Sequence, residues 1–425
     1  MSHDSSPFIP GTPLPTGGLS ADGLSTGGGF IVGVSPREGT LPLTKSSQAK
    51  SSQAKSPVAD LTAVDQAKAE HEAANLFMRQ VRVLVKDLLE PKAWIYWTDL
   101  LTSLVVGQAA FFFFALPTAS AYIRVPAFIV AVFAFYRVTT FTHELSHFRK
   151  GTFRGFRATW NALVGIPFML PAFLYEDHRL HHVNHSYGTH DDSEYLPLAS
   201  GTSWDITKYF LKIFLVPVLG IFRFMVLTPL SWLSPSWRRW TWERSSSALA
   251  INWSYRRSPE DETDHPLEVR IMEFCCFAYG YAFFALILTG LMPWSVFFNF
   301  YAVFLCVALV NYTRTLGAHR YQGIGEPMSY VDQILDSYTI AGQDKITGLM
   351  APLGMRYHAL HHLVPSLPYH NMREAHRRLV AGLPADSPYH RTIRRSVWQA
   401  AGEVIRSVRK LPSRQPEFIA KPVSS

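Results

Sequence analysis

Cysteine is scarce in this sequence, with three residues in 425, namely Cys275, Cys276 and Cys306. All three lie in apolar stretches and two of them are adjacent, so they offer no disulfide framework and resemble small core residues. None lies near the histidine-rich segments described below. The sequence therefore excludes a disulfide-stapled fold and a cysteine-based metal site.

Charge is almost missing from three long apolar stretches. Residues 94–117 contain only Asp99, residues 118–142 contain only Arg124 and Arg137, and residues 274–313 contain no charge. Each stretch is long enough to cross a bilayer once, and the last, which Pro293 divides, is long enough to cross it twice. We predict an all-α membrane protein with four transmembrane helices in two hairpins.

The first 60 residues lack both a core-forming pattern and a signal-peptide pattern, since they are polar and rich in Gly, Ser and Pro. We expect a disordered tail over residues 1–60 and an amphipathic helix on the membrane surface over residues 61–92. Residues 93–379 then form the membrane domain, and residues 380–425 form a basic C-terminal tail.

The net charge of +8 does not indicate a nucleic-acid-binding protein. Its basic residues flank apolar spans, for example over residues 149–157 and 238–257. That arrangement is typical of membrane proteins and suits anionic headgroups or an acidic electron donor. We therefore expect a lipid-facing protein with no nucleic-acid partner.

Histidine is the informative residue: nine of the 17 histidines fall in four clusters at or just beyond the ends of apolar stretches. The clusters are an HxxxH, an HxxHH, a single histidine and a second HxxHH: His143 and His147; His178, His181 and His182; His319; His358, His361 and His362. Imidazoles at i, i+3 and i+4 share a helix face. Nine are too many for one tetrahedral zinc ion and suit two metals, iron included.

Histidines that share one centre must lie on one side of the bilayer, which constrains the ambiguous apolar stretch 208–233. Between His182 and His319 the number of crossings must be even, and the second hairpin already supplies two. We therefore predict that residues 208–233 lie in the membrane interface rather than across it.

Two other classes of protein remain open from the residues alone. The segment at His143 also matches HExxH, in which Glu144 would be the general base of a membrane zinc protease. That interpretation leaves both HxxHH clusters and His319 unexplained. A non-catalytic metal-binding or transport protein is the other alternative.

The arrangement resembles the membrane fatty acid desaturase and hydroxylase superfamily, over roughly residues 94–379. The residues that carry the resemblance are His143-Glu-Leu-Ser-His147, His178-Arg-Leu-His-His182, His319 and His358-Ala-Leu-His-His362. In this likeness His319 matches an additional ligand of stearoyl-CoA desaturase-like enzymes, whose asparagine one turn earlier is replaced here by Thr315. The resemblance implies a four-span fold whose cytosolic helical cap holds two non-haem iron ions that activate O2.

By the same resemblance the expected activity is fatty acyl desaturation of a lipid-linked or thioester-linked chain, with O2 and two electrons. A hydroxylase or ketolase acting on a fatty acyl, sphingolipid or carotenoid substrate shares the metal site and is the alternative. The His-Pro-Gly-Gly pattern of a fused cytochrome b5 domain is absent. We therefore expect a separate ferredoxin or cytochrome b5-like donor, and histidine clusters on the cytosolic face.

Histidine ligands need acceptors behind them that fix the tautomer of each ring. Acidic residues near the clusters in sequence are the candidates, with Asp177 and Asp336 first. The full set is Glu176, Asp177, Asp191, Asp192, Asp332 and Asp336.

Overall fold

The computed structural model describes residues 57–148, 151–259 and 266–410, and over these ranges the chain is mostly helical with almost no strand. The α-helices in chain order are α1 (Pro57–Val85), α2 (Ala93–Ala115), α3 (Ala121–His147), α4 (Arg154–Trp160), α5 (Ser203–Leu211), α6 (Val216–Phe222), α7 (Thr228–Ser231), α8 (Pro235–Trp240), α9 (Pro266–Leu288), α10 (Trp294–Leu316), α11 (Tyr330–Asp336), α12 (Asp344–Met350), α13 (His358–Leu363), α14 (Met372–Gly382), α15 (Pro388–Arg391) and α16 (Val397–Lys410).

Tighter and wider helical turns connect several of these helices. The 3-10 segments are Lys86–Leu88, Ala172–His182, Lys212–Phe214, Ser247–Leu249, Met355–Tyr357 and Tyr369–Asn371, and the π segments are Asn161–Gly165, Arg223–Leu227 and Thr241–Ser246. Within the described ranges the only strands are β1 (Thr339–Ile340) and β2 (Ile393–Arg394), which pair in parallel with Thr339 opposite Ile393.

Helices α2, α3, α9 and α10 are each at least 23 residues long and apolar enough to cross a membrane. The prediction of an all-helical fold with four spans in two hairpins is confirmed. Helices α2 and α3 pack closely because Gly107 has no side chain, and a Cβ there would lie 2.8 Å from the Phe135 ring. Phe135, Phe168 and Phe304 fill the space between α3 and α10.

The stretch between the hairpins forms two helical pieces, Ser203–Phe214 and Val216–Ser231, bent by 52°. The Tyr281 hydroxyl donates to the Met225 carbonyl at 3.3 Å, and the Tyr301 hydroxyl donates to the Phe214 carbonyl at 3.0 Å. Both tyrosines lie well inside α9 and α10, so the stretch sits deeper than the interfacial position that the sequence predicts. A bent pair of this kind is either a broken span or a re-entrant piece. We interpret it as a re-entrant piece, because that form adds no crossing and keeps the number of crossings even.

A buried ion pair explains how this apolar stretch accommodates charge. Arg223 lies in the bent stretch, and Glu273 lies on α9. Both side chains are fully buried, and Arg223 donates a hydrogen bond to Glu273. Arg238 also donates to Glu273. An unpaired charge at such depth would be strongly destabilising. The sequence pattern alone does not show this pairing because Arg223 and Glu273 lie 50 residues apart.

Residues beyond 380 are more ordered than a tail. Helix α16 buries Val397, Ala400 and Val404 in the core shared with α10, and β2 pairs with β1 next to the histidine-bearing segments. At the other end, α1 packs Phe77 and Val81 against residues of α13 and α14. Of the expected tails over residues 1–60 and 380–425, residues 1–56 and 411–425 lie outside the described residues.

Candidate metal centre

The first histidine cluster lies in the last turn of α3. His143 and His147 are one helical turn apart, and their ring centroids are 5.1 Å apart. Both ring nitrogens of His143 and Nε2 of His147 are buried without a hydrogen-bond partner among the described residues. Buried polar atoms are normally paired, so these rings are aimed at a missing partner.

The second cluster lies on a 3-10 helix, Ala172–His182, rather than on an α-helix. With three residues per turn, His178 and His181 fall nearly above one another and extend along one edge. Their rings are fully buried and their centroids lie 5.6 Å apart. The 3-10 helix thereby places His178 in one of the two histidine groups described below and His181 in the other.

His319 is held by the backbone just beyond α10. It forms an isolated antiparallel bridge with Ser337, and the Arg320 amide donates to the Asp336 carbonyl at 2.6 Å. The second HxxHH lies on α13, entered through Gly354 at φ +72. The positive φ favours glycine at this turn, and a Cβ on Gly354 would also displace the Met372 side chain.

Eight of the nine predicted histidines form two groups, each with donor nitrogens within 4.8 Å of one another. The first group is His143, His147, His178 and His361, and the second is His181, His319, His358 and His362. The ninth, His182, lies beside the first group, with its Nε2 3.1 Å from Nε2 of both His178 and His361. The four clusters therefore converge from distant parts of the chain.

The spacing of the nitrogens fits metal ions. In the second group, Nε2 of His319 lies 3.1 Å from that of His181 and 2.8 Å from that of His358. Two nitrogens bound at about 2.1 Å to one ion, about 90° apart, lie about 3 Å from each other. Burial lowers the pKa of His178, His319 and His358 well below the usual value, so these rings are neutral and present lone pairs.

Carboxylates stand behind three of the rings. Nδ1–H of His181 donates to the fully buried Asp192, and Nδ1 of His178 lies 3.1 Å from Glu194. Nδ1–H of His319 donates to the Tyr187 hydroxyl at 2.9 Å, and that hydroxyl donates to Asp336 at 2.9 Å. The predicted Asp336 thus reaches a histidine through Tyr187 rather than directly.

The structure differs from the sequence prediction at Asp177. Its Oδ2 accepts hydrogen bonds from the Tyr255 hydroxyl and from Nε of Arg257, both at 2.7 Å. No contact joins Asp177 to a histidine of the centre in the described part of the chain. Asp192 belongs to the wider set of sequence candidates, whereas Glu194 does not.

A cavity of 280 Å³ opens beside the first histidine group. Of the nine histidines, His143 and His178 line it, and its far end is aromatic, with Phe283, Phe297 and Phe304. Asp177, Glu194, Arg257 and Arg314 are the charged residues of the lining. The cavity thus leads from the core of the membrane hairpins to the first group.

Comparison with known proteins agrees with this geometry. The family model described as "Fatty acid desaturase" matches residues 119–394, which contain all nine histidines. The chain belongs to the fatty acid desaturase family. Within its wider superfamily, the chain is 39% identical over 333 residues to a ceramide hydroxylase of Caulobacter vibrioides (strain NA1000 / CB15N). The match covers 78% of this chain and 94% of the relative. No solved structure matches the chain significantly.

Membership in the fatty acid desaturase family argues against the zinc-protease alternative. The position of Glu144 also argues against it. Its Oε2 accepts a hydrogen bond from the Tyr96 hydroxyl at 2.7 Å, and its side chain is buried. Glu144 does not line the cavity, whereas a protease base has to reach a water beside the metal. The carboxylate instead fixes α2 against the end of α3.

Proposed function

We propose that this protein is an O2-dependent hydroxylase of a ceramide-type lipid. The observation that carries the proposal is the match to a ceramide hydroxylase at 39% identity over 94% of that protein's length. An apolar cavity that ends at two histidines is the kind of site that a long acyl chain requires. Desaturation, the activity expected first from the sequence, is the competing outcome.

The two reactions use the same reagents and differ in product. Hydroxylation converts a C–H bond, O2, two electrons and two protons into a C–OH bond and one water. Desaturation removes two hydrogens from adjacent carbons and yields a double bond and two waters. Two iron ions held by the nine histidines would supply the O2 activation that breaking an unactivated C–H bond requires. We propose a separate ferredoxin or cytochrome b5-like protein as the electron source.

The residues of this chain would hold and orient the lipid. Burying a methylene stabilises a bound chain by about 0.8 kcal/mol. Burial of the acyl tail against the aromatic end of the cavity therefore favours binding of a long chain. His143 and His178 line the cavity, and therefore we assign the first histidine group to the side that meets the substrate.

The proposed orientation places the histidine centre on the cytosolic side. All four spans end or begin toward the histidines, at Ala93, His147, Pro266 and Leu316. The basic segment around Arg238, Arg239 and Arg256 follows the re-entrant piece on that side. Positive residues favour the cytosolic side of a bilayer, which supports this orientation.

Lipid analysis of a host that makes a ceramide distinguishes the two reactions. The chain and its His361→Ala variant are expressed in parallel, and total ceramides are compared by mass spectrometry. We expect ceramides that gain one oxygen only with the unchanged chain. Ceramides that lose two hydrogens instead support desaturation, and no change in any ceramide contradicts this substrate class.

A further inference from the structure

A buried arginine lines the cavity and, among the described residues, forms no hydrogen bond with any of the nine histidines. Arg314 lies in the last turn of α10, five residues before His319, and is 7% exposed. Its Nη2 donates to Oδ1 of Asn311 at 3.0 Å, and the Tyr136 hydroxyl lies beside it. Its Nε is buried without a hydrogen-bond partner among the described residues.

No carboxylate of the described residues lies within salt-bridge distance of the Arg314 guanidinium. The charge of Glu194 acts on Arg314 only from farther away. Of the two acidic side chains of the cavity, Asp177 pairs with Arg257, whereas Glu194 lies 3.1 Å from the neutral His178 and does not contact Arg314. A buried guanidinium with an unused N–H is costly, because all of its polar atoms are donors and need acceptors.

Arg314 lines the same cavity as His143, so its free Nε–H lies in the cavity that leads to the histidines. Arg314, Asn311, Thr139 and Thr140 line the cavity together with His143, and the aromatic end lies beyond them. A lipid that fills the cavity therefore passes the polar residues and the histidines within one stretch of its length. An oxygen bound at Arg314 fixes the distance along the chain at which a carbon lies beside His143.

We propose that Arg314 determines where the lipid reacts, by donating a hydrogen bond from Nε to an acceptor oxygen of the substrate. The inference rests on the proposed function and adds to it the substrate class. The lipid carries an amide carbonyl or hydroxyl oxygen near the carbon that reacts, so the reaction occurs near its polar head rather than near its terminal methyl. A plain hydrocarbon chain would leave the guanidinium unsatisfied.

The decisive variant gives Arg314 a partner inside the protein. Asn311→Asp nearly preserves size, and its carboxylate would take the place of the amide oxygen now 3.0 Å from Nη2. The internal ion pair then competes with the lipid oxygen. We expect KM for an N-acyl sphingoid base to rise about 10- to 100-fold, the range for losing a hydrogen bond to a charged group. The new hydroxyl is expected to spread over neighbouring carbons.

Variants of the arginine itself complete the experiment. Arg314→Gln is expected to act like Asn311→Asp, and Arg314→Lys is expected to restore part of the positional selectivity, since it keeps the charge but not the planar fork. Arg270→Gln is the matched control, because Arg270 is exposed on α9 and does not line the cavity. Iron content and thermal unfolding are measured for each purified protein, and fragmentation mass spectrometry locates the new oxygen.

The outcomes separate this inference from the proposed function. Asn311→Asp with bound iron, unchanged KM and a single unchanged product position overturns the inference. Loss of iron or of folding in Arg314→Gln, with Asn311→Asp unaffected in KM and position, also overturns it, because Arg314 is then a structural residue. If the unchanged protein oxidises no N-acyl sphingoid base, the proposed function fails and the substrate class named here fails with it. If it forms a double bond, the position of that bond provides the same readout.

Discussion

The carboxylate of Asp192 accepts a hydrogen bond from Nδ1–H of His181, with N–O distances of 2.9 and 2.8 Å, and both side chains are fully buried. Burial alone would lower the pKa of His181, but the adjacent Asp192 charge raises it above its usual value. The same carboxylate accepts from the backbone amides of Gly188 and Glu194. It therefore fixes the proton on Nδ1 and directs Nε2 toward the second histidine group.

Asp192→Asn is expected to weaken metal binding by the second group. The amide keeps the shape of the side chain but removes the charge that orients His181 and makes it a stronger ligand. Such changes behind a ligand commonly cost 10- to 100-fold in metal affinity. Iron affinity is measured by competition with a chelator, using Asp191→Asn, an exposed neighbour, as the control. Equal affinity in both variants would contradict the role of Asp192.

Glu194→Gln is expected to affect the other group. Glu194 Oε1 lies 3.1 Å from Nδ1 of His178, which belongs to the first histidine group. Removing its charge weakens the first site, whereas Asp192→Asn weakens the second. Titration of each purified variant with a chelator is expected to remove one iron early and the other at the unchanged concentration. Simultaneous loss of both irons in both variants would show that the groups do not bind metal independently.

The histidines could be predicted from the sequence because their spacing and their position at span ends are local properties. The four clusters had only to be on one side of the bilayer for convergence to follow. The acceptors behind them were harder to predict. Asp177 precedes His178 directly, yet adjacent residues of a 3-10 helix point in different directions, and Asp177 pairs with Arg257, 80 residues later.

The depth of residues 208–233 in the membrane also could not be predicted from the sequence. The requirement for an even number of crossings limits how often residues 208–233 cross the bilayer, but it does not fix their depth. Glu273 on α9 pairs with Arg223 and so allows a charge of this stretch to be buried. The order of residues 388–410 likewise depends on partners in β1 and α10, which a basic C-terminal sequence does not reveal.

Removing metal is expected to lower the stability of the folded protein. Without ions, the lone pairs of neutral imidazoles face one another at close range, as with Nε2 of His319 and His358 at 2.8 Å. A ligand at 1,000 times its dissociation constant stabilises the folded state by about 4 kcal/mol. Thermal unfolding with and without a chelator measures the effect. His361→Ala should respond less to the chelator, and His185→Ala, an exposed histidine outside both groups, should respond like the unchanged protein.

Residues after the re-entrant piece are expected to lie on the same side of the membrane as the histidines. In a protein whose three native cysteines are replaced by alanine, single cysteines at Ser236 and Arg179 should react with an impermeant reagent from one side. A cysteine at Thr118, in the turn between α2 and α3, should react from the opposite side. All three positions are exposed. Reaction of Ser236→Cys together with Thr118→Cys would show that the bent stretch crosses the membrane.

Filling the cavity is expected to select against long acyl chains. Ala308 lines the cavity on α10, and Ala308→Trp would occupy space that the lipid tail needs. Excluding about three methylenes costs about 2 kcal/mol, or about 30-fold in kcat/KM for a long-chain ceramide, while a chain shorter by several carbons is affected less. Leu309→Trp is the matched control, since Leu309 is the next residue and is exposed outside the cavity. Both variants should retain iron. An equal loss for long and short chains would mean that the cavity does not hold the tail.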